Sequence, residues 1–378
     1  MTTQPPETPI PADLREAAGL LLPAPLGLAL LPGRDDLAKA TAASGDWCVS
    51  RWPAGTTEAR LAGAHAAMAT ARGPLGPLVP AVAARPDGAG AAAHVGAHQF
   101  DAWSWLPGAP QQPTAARWPE PGDRVRLPGV LPDAAFADVV AAIGRLHAAT
   151  EAGPRPAALP DLPLPGLVVS VRQAWAQQRG VLRPLAVRTP AVQRWLALGE
   201  RTLPAAEALL EGASPALLGG RAVVHLGLWP GHALLADGRL SGLLGWEAAA
   251  WGAPLLDLAQ AVVRLRGWSA AGVEVALAAY GDERRLDAEA RRLLPAVGVL
   301  DLVASTGALL VAAHATGRPE QPPTALRVAI RGMVASLESA GAALAQASGT
   351  KKAPARRRGF PPRRPGPPRG KAPAPRKR

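Results

Sequence analysis

The chain has 378 residues, 48% of them hydrophobic, with 40 glycines, 42 prolines and a single cysteine. Its length allows a substantial core, while the lone Cys48 excludes an internal disulfide framework and a cysteine-rich metal site. The net charge of +12 is confined to one end: residues 351–378 hold 12 of the 41 bases and no acid, and the other 29 bases balance the 29 acids.

No basic segment precedes an apolar run in the first twenty residues. The apolar stretch at 17–32 is broken by Pro23 and Pro25. The expectation is a cytoplasmic protein with no membrane span.

In chain order, a polar, Pro-rich start leads to a short helix at 12–19. Strands are expected at 37–42 and 47–52, bounded by the turn signals Gly33-Arg34-Asp35-Asp36 and Ser44-Gly45-Asp46. Thr56 or Thr57 caps a helix from Glu58 to about Ala71. Two more strands, 78–84 and 91–100, flank Pro86-Asp87-Gly88. Trp103 to Gly108 ends in W-L-P-G, and residues 109–133 are Pro-rich and irregular.

Asp133 caps a helix over 134–149, where Val139, Val140, Ile143, Leu146 and His147 recur at three- and four-residue spacing. Helices are expected at 170–178, 190–198 and 203–210, with Trp175 and Trp195 in the core. After the stretch at 223–258, helices follow at 272–280, 287–310 (with Pro295 a candidate break) and 323–345.

The stretch Val223–Leu258 organises the chain. Val223-Val224 form a strand that enters a loop, His225–His232. Two apolar runs then flank Asp237-Gly238, a hairpin dipeptide. Pro254 opens a helix carrying Leu255, Leu258, Val262 and Leu265.

These residues resemble the aminoglycoside phosphotransferase and choline kinase family, whose pattern runs H-G-D-L-H-P-G-N, a hairpin, I-D-W-E, then G-D-P-x-x-D-L. The frame is kept at His225, Leu228, Pro230, Gly231, Trp246, Glu247, Gly252, Pro254, Asp257 and Leu258. The reactive positions are not. Gly227 stands at the catalytic Asp, His232 at the metal-binding Asn and Gly245 at the second metal-binding Asp.

The resemblance implies an α+β, two-lobe, protein-kinase-like fold. An N-terminal extension (1–16) precedes a small β-rich lobe (17–106), a helical large lobe (107–348) and a disordered basic tail (349–378). It makes Arg51, with Lys39 as a weaker choice, the candidate for the small-lobe basic position, and Glu58 the candidate for its helical partner. Arg51 and Lys39 also read as solvated edge residues, and Glu58 as simple helix-dipole chemistry. Trp105 and Leu106 fall at the inter-lobe hinge, so Arg51, Glu58, Trp105 and Leu106 outline a nucleotide site. His225 and Asp257 are loop-bracing remnants, and His147 has a structural role behind the loop.

Phosphoryl transfer needs a carboxylate to orient the attacking hydroxyl and metal ligands to neutralise the phosphates. Glycine supplies neither, so no catalytic residue and no metal site is assigned. His225, His232 and Glu247 as a metal trio lack a confirming spacing.

The leading expectation is a degenerate phosphotransferase, a pseudokinase that binds a small-molecule ligand in the inter-lobe cleft or a partner. ATP and magnesium enter only if nucleotide binding is retained. The alternatives are an active ATP-dependent small-molecule phosphotransferase with substitute residues, and a nucleic-acid-associated scaffold. The tail has eight prolines and no aliphatic larger than Ala. Its composition suits contact with nucleic acid, the ribosome or another polyanion.

Overall fold

The computed structural model describes residues 9–31, 34–110, 116–117, 124–125, 127–213, 216, 220–314 and 322–349. The basic tail lies outside the described residues. Helix α1 (Ala12–Leu21) leads into strands β1 (Gly27–Leu30), β2 (Leu37–Ala42) and β3 (Gly45–Arg51). Helix α2 (Glu58–Leu75) follows, then β4 (Ala92–Val95) and β5 (His98–Ser104). The five strands form one antiparallel sheet in the order β1-β2-β3-β5-β4.

One face of this sheet, with Ala40, Val49, Phe100 and Ala102, packs on Leu14, Ala17, Ala18 and Leu21 of α1. On the other face Asp101 of β5 meets His65 of α2 at 3.0 Å. Thr57 caps α2 by accepting the Arg60 amide at 3.3 Å. The single strand expected at 91–100 is instead a hairpin turned at Gly96, whose φ is +57°. The strand expected at 78–84 reduces to one bridge, Val82 to Trp103. Pro80 removes one of the amide donors that the expected strand would use.

The chain continues through the short strands β6 (Ala109–Pro110), β7 (Ala116–Arg117) and β8 (Arg124–Val125), then α3 (Asp133–Thr150), β9 (Asp161–Leu162), α4 (Leu164–Leu182) and α5 (Pro190–Glu211). Next come β10 (Ala222–Val224), β11 (Ala233–Ala236), β12 (Arg239–Leu243) and β13 (Ala250–Gly252). Helices α6 (Leu255–Leu265), α7 (Ala270–Glu283), α8 (Ala288–His314) and α9 (Thr324–Ala347) complete the fold. Asp237 (φ +52°) and Gly238 (φ +74°) turn the β11–β12 hairpin, as their sequence predicts. Strand β10 pairs antiparallel with β13, which β9 joins in parallel.

Several helices outrun their sequence signals. Pro204 lies inside α5, which is one helix rather than two, and α8 runs unbroken through Pro295. Packing offsets the lost backbone bonds: Val192, Trp195, Leu203 and Leu210 on α5, and Leu293, Val297 and Leu300 on α8, are all buried. Asp133 does not cap α3. Pro132 takes the cap position, and Asp133 instead pairs with Arg266.

The large core brings Trp175 and Trp195 together with ring centroids 4.4 Å apart. Helices α8 and α9 are long and apolar enough to cross a membrane. Here 67% of the most apolar window of α8 and 50% of that of α9 are buried inside the protein. Helix α1 runs across the expected boundary between residues 16 and 17. On α2, Ala67, Met68, Ala71 and Leu75 belong to the large core rather than the small one.

Candidate functional site

Strand β10 delivers the chain into the loop at 225–232, and Asp257, in the first turn of α6, holds that loop from beneath. One Asp257 oxygen accepts the His225 amide at 2.6 Å and the other accepts the Leu226 amide at 2.8 Å. The same carboxylate lies 3.0 Å from His147 Nε2, and His147 Nδ1 lies 2.8 Å from the Tyr280 hydroxyl. Asp257, His147 and His225 have no exposed surface. Burial opposes the charged Asp257. The His147 bond, the electrostatic pull of the two neighbouring imidazoles and the His225 amide outweigh it and hold the carboxyl below its usual range. Burial lowers the His225 pKa, against the pull of Asp257 and Glu247. Burial likewise raises that of Tyr280.

The loop is strained where Asp257 grips it. Leu226 has φ +56°, a left-handed conformation that a leucine rarely adopts. It stands where the related pattern has a glycine. His225 Nδ1 accepts the Gly227 amide at 3.1 Å, which places the ring proton on Nε2. Nε2 is buried and faces the Leu244 backbone without reaching hydrogen-bond geometry. Trp246 packs edge-on against this imidazole, centroids 4.4 Å apart, and its indole N–H donates to the Leu243 carbonyl at 2.8 Å.

Gly227 and Gly245, the two positions where carboxylates are expected, touch each other. A Cβ added at Gly227 would lie under 3.0 Å from the Gly245 carbonyl oxygen. Gly245 has φ +89°, and a Cβ there would lie under 3.0 Å from three atoms of the His232 ring. His232 Nδ1 donates to the Gly227 carbonyl at 2.6 Å. The space for a carboxylate at either glycine is filled. Magnesium, which wants oxygen ligands in near-octahedral array, does not fit His232 and Gly245. No group of three or more His, Cys, Asp or Glu among the described residues is placed to hold a metal, so His225, His232 and Glu247 do not form a trio.

Comparison with known proteins decides the family. Residues 34–294 match the model of the phosphotransferase enzyme family. The chain belongs to that family. Among solved structures it is similar to an aminoglycoside phosphotransferase from Alicyclobacillus acidocaldarius (13% identity, 91% of this chain and 96% of that one, TM-score 0.62). It is also similar to a choline/ethanolamine kinase family protein from Mesorhizobium loti (17%, 89% and 97%, 0.51) and to an amicoumacin kinase solved with AMP-PNP and Ca2+ (12%, 86% and 92%, 0.54). At these identities the likeness carries the kinase-like fold. No curated protein matches the chain.

Arg51 lies opposite Phe100 in the sheet register, on the face covered by α1. It pairs there with Asp13 at 3.0 Å and Asp35 at 3.4 Å. Glu58 is 84% exposed, near His94 rather than Arg51. The two residues expected to pair across the small lobe therefore point apart. The buried link between sheet and α2 is His65 to Asp101. Helical spacing groups His65 with Leu61 and Met68 on one face of α2 but names no partner for it.

Lys39 stands opposite Cys48, on the face opposite to that of Arg51. Its ammonium pairs with Asp46 at 2.6 Å and lies 4.9 Å from the centroid of the Trp105 ring. Leu106 is buried against Gly242 of β12. Ser241 donates to the Pro107 carbonyl at 2.7 Å, so the hinge is fastened to the β11–β12 hairpin.

Two residues near the loop escaped the sequence reading. Tyr280 completes the buried His147–Asp257 set. Arg264 stacks on Trp229, 4.4 Å from its centroid, and its guanidinium engages Asp301 at 2.5 and 3.1 Å. Helical spacing marked both segments as helix, but nothing local says what a polar residue on them faces. A cavity of about 540 Å³ lies between α4 and α5, lined by Val168, Arg172, Pro204, Glu207 and Arg221 among others, and includes no residue of the 225–232 loop.

Proposed function

We propose that this family member is a non-catalytic phosphotransferase homologue, a pseudokinase that works by binding a ligand or a partner. One observation carries the reading. The buried carboxylate that the fold brings to the 225–232 loop, Asp257, has both oxygens engaged by the His225 and Leu226 amides, with His147 beside it. It braces the loop and, with no exposed surface, presents no oxygen to a hydroxyl acceptor. The loop itself contains no Asp or Glu. General-base and metal-ligand duties in phosphoryl transfer fall to such side chains, and the 225–232 loop supplies none for either duty. The ligand-binding side of the proposal draws on the retained kinase-like fold, with the ligand taken between the small β-rich lobe and the helical lobe. The basic segment 351–378 supplies charge for contact with a polyanion such as nucleic acid or the ribosome.

The test is ATP consumption by the purified full chain, with a thermal melt in magnesium-ATP run beside it. The expected result is no turnover above a protein-free blank, whether or not the nucleotide shifts the melt. Sustained turnover that co-purifies with the protein would overturn the reading and favour an active phosphotransferase with substitute residues.

A further inference from the structure

We propose that His232 is the keystone of a metal-free interlock that joins the 225–232 loop to the turn at Gly245. The inference deepens the non-catalytic reading: the altered residues of this loop pair form one mutually dependent solution rather than separate losses. Four observations support it. The His232 ring occupies the space in which a side chain on Gly245 would begin. Its Nδ1–H donates to the Gly227 carbonyl at 2.6 Å. The Gly227 Cα, in turn, packs on the Gly245 carbonyl. Finally, the Leu244 amide donates to the His232 carbonyl at 2.8 Å, so the backbone of residue 232 is tied to the same turn as its ring.

Each member therefore dictates the next. The ring requires glycine at 245, and the carbonyl of 245 requires glycine at 227. The carbonyl of 227 satisfies the ring nitrogen. A bound cation would join two such loops through carboxylates, whereas this chain joins them with one imidazole and two bare Cα atoms. A carboxylate installed at 227 alone meets backbone, which cannot move aside as the end of a flexible side chain can.

The obstruction differs at the two glycines, and that difference supplies the test. At 245 the obstacle is a side chain, His232. At 227 it is the backbone of Gly245. Urea denaturation of the full chain would be measured for Gly245→Ala and Gly227→Ala, each alone and each combined with His232→Ala, with His232→Ala as the shared reference. The expected result is that His232→Ala relieves the cost of Gly245→Ala by about tenfold or more in the folding equilibrium constant. The left-handed φ leaves a residual cost at 245. The cost of Gly227→Ala should be unrelieved. If Gly245→Ala alone does not fold, recovery of a cooperative transition in the double variant supports the interlock. Failure to recover, additive effects at 232 and 245, or equal relief at both glycines overturns it. Because the readout is stability, it stands or falls separately from ATP turnover.

Discussion

The Asp257 carboxylate accepts the His225 backbone amide at 2.6 Å in a region where neither residue has any exposed surface. A charged acceptor fixed this way is costly to remove, because two amides and His147 lose their partner together. Asp257→Ala is expected to destabilise the protein by about 3–5 kcal/mol. Asp257→Asn, which keeps an acceptor but loses the charge, should cost about 1.5–3 kcal/mol. Urea denaturation at pH 7.5 checks both. Equal costs for the two variants would show that a neutral acceptor contributes nothing, and an Asp257→Asn variant as stable as the parent would show that the charge contributes nothing.

Tyr280 is the chain's single tyrosine, and its hydroxyl lies 2.8 Å from His147 Nδ1. Tyr280→Phe removes one buried hydrogen bond while keeping the ring, for an expected loss of about 1–2 kcal/mol. The loss should shrink in an Asp257→Asn background, since His147 links the two groups. Strict additivity in a double-mutant cycle would break the proposed coupling.

Leu226 offers a reversal of the usual core rule. Its left-handed φ of +56° is tolerated by glycine and is hardest on β-branched residues. Leu226→Val keeps most of the apolar volume, yet should be more destabilising than Leu226→Gly, by about 1 kcal/mol or more. Thermal melts of the two variants give the order directly.

Stability should depend on pH through His225. Burial holds its pKa below 6.5, so the folded state keeps it neutral. The unfolded chain takes up that proton near pH 6.5. The unfolded state then binds more protons, and stability is lost as pH falls from about 6.5 towards the folded value, by at most about 1.4 kcal/mol per pH unit. It is fully present above that window. Asp257, also held low, adds a second loss in more acidic solution, as pH falls from the ordinary carboxylate range through its folded pKa. Denaturation midpoints between pH 5 and 8 should slope downward towards acid, and His225→Gln should flatten the slope. The partly buried His314, whose pKa burial also lowers, leaves a remainder.

Much of the fold was legible because its signals are local. Asp237-Gly238 announces a hairpin, since both positions need positive φ and tolerate it. Thr57 before Glu58 announces a helix start, since a hydroxyl there caps a free amide. Strand β2 fell at residues 37–42 as the turn signals around it required. The spacing of His225, Trp246, Pro254 and Asp257 was enough to indicate the family frame.

The site was less legible because its content is set by contacts between distant segments. Arg51 is one residue from Ser50, and successive strand residues face opposite sides. Only the docking of α1 decides that the Arg51 side is the outer one. Pairing His147 with both Tyr280 and Asp257 spans more than a hundred residues in each case. The sequence by itself determined that carboxylates are missing at 227 and 245. The tertiary structure decided that their space is taken, because packing brings the carbonyl of one glycine and the ring of His232 into volumes that no linear spacing reveals.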